Sequence, residues 1–347
     1  MTTEKVKQML RDAIHKRSDE KPFLFYFSHK DFKGLCQHSH NVKSSKGHQL
    51  VGYFYYYESE YLKTPLRTDT LVIFDHGMWS GHRSYFREIE MLCRNGYIVY
   101  SYDHTGCFES EGEETFGFAQ SYLDLCDVLS SLKEHEKIKD MKLYVIGHSW
   151  GGFATMNCPN PHNVDKIVAI SGFISVEEIV NQYIPFFLKK HRRAVFNMET
   201  KDKGSLVDGR RSLFLRKTKA LYIHSRDDKI VSYKKHFLQL KKELASALPE
   251  QVQFLSLNKK NHNPTYTISA LKAKSKMERE LKSAHKKGLL NTAEDCEKFK
   301  NSYDWYQITE QDQEVWDKIL EFLDSPPLKN PPDPASFVQD FVKSQSK

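Results

Sequence analysis

Long apolar runs are what this chain most conspicuously lacks. No stretch approaches the roughly 20 apolar residues that span a bilayer, and apolar residues make up 39% of the 347. A membrane-spanning protein is therefore not expected. The N-terminal stretch "MTTEKVKQMLRDAIHKRSDEK" alternates charge with apolar residues, without the apolar core and small-residue cleavage site of a secretory signal. A soluble, cytoplasmic protein is the expectation. Cysteine is sparse: six residues, at 36, 93, 107, 126, 158 and 296, with no C-x-x-C pair. In so long a chain they read as reduced thiols rather than a disulfide framework. No internal repeat is visible, and no aromatic platform interleaves with the basic residues, so nucleic acid is not an expected partner. Charge of one sign does not dominate, with a net +7. Its placement is uneven: Phe187 to Lys219 carries eleven Lys/Arg against three Asp/Glu.

Enough chain is present for one large α/β domain or two ordinary ones, with a substantial core. Residues 4–17 read as a short amphipathic helix, and "HNVKSSKGHQLVGYFYYYESE" as two strands joined by a Lys-Gly turn. "TLVIFDHG", "YIVYSYDHTG", "KLYVIGHS", "DKIVAISG", "KALYIHSRDD" and "VQFLSLNKK" read as further strands, the first two as apolar runs buried on both faces. Helical patterns separate them: "SYFREIEMLCRNG", closed by Gly96, then "FAQSYLDLCDVLSSLKEH", "WGGFATMN" and "YKKHFLQLKKELAS". Such alternation predicts an α/β protein whose mostly parallel sheet is covered by helices on both faces. Two stretches interrupt it, 172–217 and 264–308, before a final amphipathic helix "DQEVWDKILEFLDS". The Pro-rich "SPPLKNPPDP" is expected to run extended over the surface.

Chemistry is concentrated in "YVIGHSWGGF", residues 144–153. "GHSWGG" matches G-x-S-x-G between a strand and a helix, a turn that lifts a serine hydroxyl clear of the sheet edge. The helix behind Ser149 aims its free N–H groups at the site, which favours an oxyanion. The pentapeptide alone is weak, since a Gly-rich βα turn needs no function. A nucleophilic serine also needs a base and an orienting acid, which in this arrangement follow in the order acid, histidine. Asp227 and Asp228 follow the strand in "LYIHSRDDKIVS"; Asp228 is assigned as the acid and Asp227 is the alternative, one of them also suiting a helix N-cap. His262, in "LNKKNHNPTY", follows the last strand and is assigned as the base. The backbone N–H of Trp150 is one expected oxyanion donor, and that of Met78, in "DHGMWSGH", the other. Trp79, His148, Phe186 and Phe187 are the candidate substrate contacts.

With these residues in place the sequence resembles the α/β-hydrolase superfamily, and within it the branch of monoacylglycerol lipases and serine aminopeptidase-like hydrolases. The likeness rests on "KSSKGHQLVGYFYY", "VIFDHGMWSGHRSYFREIEMLCRNGYIVYSYDHTGCFESEG", "YVIGHSWGG", "LYIHSRDDKIV" and "KKNHNP". It implies an α/β-hydrolase fold with a sheet of about eight strands, a Ser-His-Asp triad, a helical cap and no cofactor. Departures are visible. "DHTGCFESEG" stands where many relatives have an Arg-Gly-His-Gly-type loop, with Thr105 and Cys107 at two changed positions. Ser225 stands where a Gly is frequent, and the insertion after His262 is unusual.

The implied organisation is a hydrolase core of residues 1–171 and 218–347, a cap of 172–217 and a helical insertion of 264–308. The cap segment "EEIVNQYIPFFLKKHRRAVFNM" reads either as a solvated basic helix packed by its apolar face or as a lid lining an acyl pocket. In the second case its charges would attract an anionic substrate or make transient contact with an anionic membrane surface. In the insertion, Tyr266, Ala270, Ala273, Met277, Leu281 and Ala284 recur at helical spacing. That stripe fits a helix at the site's rim, or an arm packed on the body or on a second subunit. His38 and His40 have strand-face spacing but no further ligands, so no metal is expected. The expected activity is serine hydrolysis of a small-molecule acyl ester, such as an acyl glyceride or lysolipid. A peptidase or amidase, an acyltransferase and a non-catalytic binding protein of the same fold are the alternatives.

Overall fold

Apolar strands set the architecture of the computed structural model, which describes residues 1–159, 161–201, 207–213 and 217–328. Eight of them form one sheet: β1 (Leu35–Ser39), β2 (Gly52–Tyr57), β3 (Thr70–Asp75), β4 (Ile98–Tyr102), β5 (Lys142–His148), β6 (Lys166–Ile170), β7 (Lys219–Ser225) and β8 (Val252–Leu257). Their order is β1-β2-β4-β3-β5-β6-β7-β8. β2 runs antiparallel to both β1 and β4, and the remaining pairs are parallel. Every residue of β3, β6 and β7 is buried, as strands covered on both faces must be. The Lys-Gly turn region forms a short separate ribbon, Val42–Lys43 with Gln49–Leu50.

The helices are α1 (Thr3–Ile14), α2 (Phe86–Arg94), α3 (Gln120–Glu134), α4 (Trp150–Asn157), α5 (Val176–Tyr183), α6 (Arg192–Thr200), α7 (Phe237–Ala247), α8 (Ile268–Lys286), α9 (Ala293–Asn301), α10 (Trp305–Ile308) and α11 (Gln313–Asp324). One core layer joins the sheet to α3, α4 and α7 through residues such as Leu125, Leu129, Phe153, Phe237 and Leu244. The other joins it to α2 and α11 through Phe86, Ile89, Leu92, Trp316, Ile319 and Phe322. Burying each such side chain contributes about 1.5–3 kcal/mol. The buried Lys166 Nζ donates to the Leu323 and Ser325 carbonyls at 2.5 Å, and Lys219 Nζ reaches the Pro326 carbonyl at 2.9 Å. These two cations satisfy carbonyls at the C-terminal end of α11 and fasten it to the strand bottoms. No helix among the described residues is long and apolar enough to cross a membrane.

Sheet register positions the site. Asp75, last in β3, lies opposite Gly147, and His148 lies opposite Ile170. The chain passes from β3 outward to β4 and returns to β5 on the other side of β3. Ligands bind such open α/β sheets at the carboxyl ends of strands where the order reverses.

The N-terminal stretch enters the core at several points, burying Val6 and Ile14 of α1 and, further along, Phe27 and Phe32. α1 packs on α6: Thr3 Oγ1 lies 2.8 Å from His191 Nδ1, and His15 Nε2 lies 2.8 Å from Glu199 Oε1. Glu199 is fully buried, and its other oxygen accepts the Phe118 N–H at 2.9 Å. Residues 23–32 lie against the 264–308 insertion, with Phe25 stacked on Trp305, Phe23 edge-on to His285, and Phe27 and Phe32 against Tyr306. On α8, Ala270, Met277 and Ala284 of the expected stripe are buried, so the helix is an arm packed on its own chain. Of the 172–217 segment, residues 202–206 and 214–216 lie outside the described residues, as does the Pro-rich tail beyond 328.

Candidate active site

Ser149 stands where β5 turns into α4, with φ 58° and ψ −108°. A non-glycine residue at such a φ stores strain, which persists only where surrounding structure enforces it. Two glycines enforce it here. A Cβ on Gly147 would fall 2.3 Å from Thr155 Oγ1, and one on Gly151 would fall 2.2 Å from the Asp75 carbonyl oxygen. Only glycine lets α4 close onto the end of β3, and that closure brings the N-terminus of α4 beside the loop that carries Met78. Among the described residues, neither the Met78 nor the Trp150 backbone N–H donates a hydrogen bond. Both are unspent donors at the mouth of a helix, the arrangement that an oxyanion requires.

His262 reaches Ser149 from the loop after β8, which turns at Lys259 and Asn261, both with positive φ. Its Nε2 lies 2.8 Å from Ser149 Oγ, and its Nδ1 lies 2.7 Å from Asp228 Oδ2. Asp228, not Asp227, is thus the carboxylate at the imidazole. Asp228 Oδ1 accepts the N–H groups of Ile230 at 2.8 Å and Val231 at 3.0 Å. Burial works against its charge, yet hydrogen bonds from His224 and His262 outweigh that and hold the carboxyl well below the usual range. Asp227 is exposed and serves the loops instead: it accepts from Ser225 Oγ and, at 3.4 Å, from the Asn261 N–H. Ser225 Oγ in turn accepts the Lys260 N–H at 3.1 Å. The hydroxyl at this changed position therefore ties the histidine loop to β7.

His148 requires a correction as a candidate substrate contact. It is buried, with its Nδ1 2.8 Å from Tyr85 Oη and its Nε2 2.6 Å from the His262 carbonyl oxygen. A carbonyl only accepts, so Nε2 carries the proton and Tyr85 donates to Nδ1. Burial, with His262 nearby, drives the His148 imidazole down to about 3, so it remains neutral. Nε2 holds the backbone of His262 and Nδ1 is taken by Tyr85, so neither nitrogen remains for a substrate.

The loop that carries Met78 is held by buried charge. His76 Nδ1 donates to the Gly77 carbonyl at 2.8 Å while its Nε2 accepts the His104 N–H at 3.0 Å. Burial and the neighbouring His104 push His76 down to about 3. His104 lies 2.5 Å from Asp75 and 3.3 Å from Asp124. Burial opposes its charge, but the two carboxylates prevail and raise it to about 9. The changed Thr105 belongs to this network, donating to Asp124 from its N–H at 2.8 Å and its hydroxyl at 2.9 Å.

Trp79, Phe186 and Phe187 are open to solvent, at 55%, 74% and 79% exposure. Trp79 follows Met78 directly at positive φ, and no described ring contact links Phe186 or Phe187 to the triad. Three contributors were not legible in the sequence. They are Tyr85, His224 at 3.1 Å from Asp228 Oδ2, and Gln182 of α5, which spans the acid loop. The Gln182 amide accepts from the Ser232 N–H at 2.9 Å and donates to the Ile230 carbonyl at 2.7 Å. Tyr85 and Gln182 depend on partners 50 or more residues away, for which local pattern carries no signal, and His224 sits in a wholly buried strand where a histidine reads as core. No group of three or more potential metal ligands occurs among the described residues.

A family model described as serine aminopeptidase, S33, matches residues 67–212, less than half of the chain, and that span holds Ser149 but ends before Asp228 and His262. No curated protein sequence matches the chain. Several solved structures are similar. An esterase from Pyrococcus furiosus is 20% identical over 70% of this chain and 89% of its own, with a TM-score of 0.53. An acetyl xylan esterase from Paenibacillus sp. R4 is 14% identical over 74% of this chain and 94% of its own, with a TM-score of 0.51. The acylaminoacyl peptidase of Pyrococcus horikoshii is 15% identical over 67% of this chain and 39% of its own, at 0.51. At these identities the likeness is one of fold.

Proposed function

We propose that this chain is a serine hydrolase of the α/β-hydrolase superfamily that cleaves carboxylic esters through an acyl-enzyme on Ser149, a reading supported by the partial family match and the shared fold. The observation that carries the reading is the unbroken line from Ser149 Oγ through His262 to Asp228, at 2.8 and 2.7 Å, beside two unspent backbone donors. In this reading His262 Nε2 takes the hydroxyl proton as Ser149 Oγ attacks the carbonyl carbon. Asp228 keeps the proton of Nδ1 in place and stabilises the imidazolium. The N–H groups of Met78 and Trp150 receive the oxyanion. The imidazolium then protonates the leaving alcohol, and water, deprotonated by His262, releases the acid and restores Ser149.

The exposed Phe186 and Phe187, with Lys189 and Lys190 beside them, favour an amphiphilic ester such as an acyl glyceride or lysolipid, met at an anionic surface. A peptidase reading is favoured by the S33 aminopeptidase model and by the likeness to an acylaminoacyl peptidase. Amide and ester hydrolysis use the same triad. Hydrolysis of p-nitrophenyl esters of increasing acyl length, beside aminoacyl p-nitroanilides, separates the two. The ester reading predicts turnover of esters that Ser149→Ala abolishes, with loss of about 10⁴-fold or more. Turnover of anilides alone would shift the assignment to a peptidase.

A further inference from the structure

Asp228 is met by two histidines, and only one of them faces Ser149. We infer that His224, on β7, is a positioning residue that shares the triad carboxylate with His262 and thereby sets how strongly Asp228 supports the catalytic imidazole. The inference rests on the reading of Asp228 as the triad acid. His224 Nε2 lies 2.9 Å from the Val231 carbonyl oxygen and 3.1 Å from Asp228 Oδ2. Both neighbours can only accept, since one is a carbonyl and the other a carboxylate held ionised. A bare nitrogen lone pair between two such oxygens would be repelled by both, so Nε2 carries a proton and donates to them.

With that proton counted, Asp228 accepts Ile230 N–H at 2.8 Å and Val231 N–H at 3.0 Å on Oδ1 and His262 Nδ1 at 2.7 Å on Oδ2, and the His224 N–H, bonded to the Val231 carbonyl, approaches Oδ2 at 3.1 Å as the weaker arm of a shared contact. A carboxylate offers about four acceptor sites. It is therefore saturated, and its rotation about the side chain is blocked from both ends. Hydrogen bonds to a charged form stabilise it. Negative charge that His224 draws on Oδ2 is withdrawn from the bond to His262, so His224 tempers the pull of Asp228 on the imidazolium. His224 is 1% exposed and itself fixed in place, with its ring centroid 5.8 Å from that of Phe237 and 6.0 Å from that of Tyr233. The titratable groups around it are Asp228, His262 beyond it, Tyr233, and His236 on the segment leading to α7. His236 is neutral, driven down to about 3 by burial with His224 and Lys235 nearby. Asp228 is thus the carboxylate on which His224 acts.

Protein labelled with ¹⁵N in its histidine rings tests this without any substrate. Loss of ester turnover would count against the proposed function and leave this measurement standing. In the wild type, the ring of His224 should show a protonated Nε2. The titration midpoint of His262, identified by its absence in His262→Gln, should move to higher pH by about half a unit or more in His224→Phe, because a donor to the carboxylate is gone. His224→Gln, which keeps an N–H in reach of Oδ2, should return most of that shift. His224→Met provides the same deletion with a flexible side chain should the phenylalanine prevent folding. A wild-type spectrum with Nε2 unprotonated, or a His262 midpoint unmoved in both apolar variants, overturns the inference.

Discussion

The two flanks of Ser149 are built on opposite principles. Behind it, on the side of His262 and the Met78 loop, polar side chains are buried and committed: His148, His76, His104, Asp75, Asp124 and Asp228 all lie below one-tenth exposure. By contrast, Phe186 and Phe187, in the turn after α5, and Trp79, next to Met78, stand open, the Phe186 ring meeting only the Lys189 ammonium at 4.5 Å among the described cation contacts. Under the proposed function, the difference follows from what each flank would have to do. Proton transfer and oxyanion binding need groups held within fractions of an ångström, which calls for saturated hydrogen bonds in a low-dielectric setting. Accepting an acyl chain needs apolar surface and little precision. The buried flank is thus expected to be intolerant of change and the open flank tolerant.

The sharpest way to break that contrast is at His148. In His148→Leu, or Tyr85→Phe where only the hydroxyl is lost, His262 loses part of its backbone anchor but keeps Asp228. The kcat for an ester is expected to fall by about 10- to 100-fold with KM little changed, the signature of misplaced machinery. Steady-state kinetics checks this. A fall in KM affinity with kcat preserved would move His148 back among the substrate contacts.

A second way uses Glu88 on α2, buried beneath the histidine loop with Thr265 Oγ1 at 3.4 Å. Burial pushes its carboxyl from 4.5 up to about 7. Because the folded-state value is raised, the stabilising contribution is complete below the unfolded value and is lost as pH rises through about 7. Glu88→Gln should therefore match the wild type near pH 4 and exceed it near pH 8 by on the order of 2–3 kcal/mol. Urea unfolding of the two proteins at both pH values reads the difference. Equal differences at the two values would mean that burial leaves the Glu88 carboxyl titrating as it does in the unfolded chain.

The smallest effects are expected on the open flank. Phe186→Ala and Phe187→Ala remove rings that are 74% and 79% exposed, so the melting temperature should stay within about 2 °C. The KM for the longest acyl esters should rise by about two- to fivefold. Kinetics across acyl lengths checks this, and a loss of stability would show that the rings pack against something after all.

What the sequence revealed divides along the same line. Ser149, Asp228 and His262, which lie in one hydrogen-bonded line, could be singled out because chain order and the strand-to-helix turn are local signals. The strands β3 to β7 were visible as apolar runs because both their faces are covered, and β8, half-exposed at the sheet edge, by its β-prone residues. Tyr85 and Gln182 left no local trace, since each acts through a partner elsewhere in the chain. His224 occupies one position of a wholly buried strand, where a histidine looks like any core residue. The pairing of α1 with α6 was equally hidden: nothing near His15 announces Glu199. His148 was misread because its place beside the nucleophile suggested the substrate, whereas the strand's alternation turns its ring toward Tyr85 and the His262 loop.

The central claim is that Ser149 is a nucleophile activated by the groups behind it. Its most direct test is covalent labelling by a fluorophosphonate, with the modified residue located by mass spectrometry. The account predicts one label per chain, on Ser149, strongly slowed in His262→Gln and absent in Ser149→Ala. An unlabelled wild type, or a label that persists undiminished in Ser149→Ala, would contradict it.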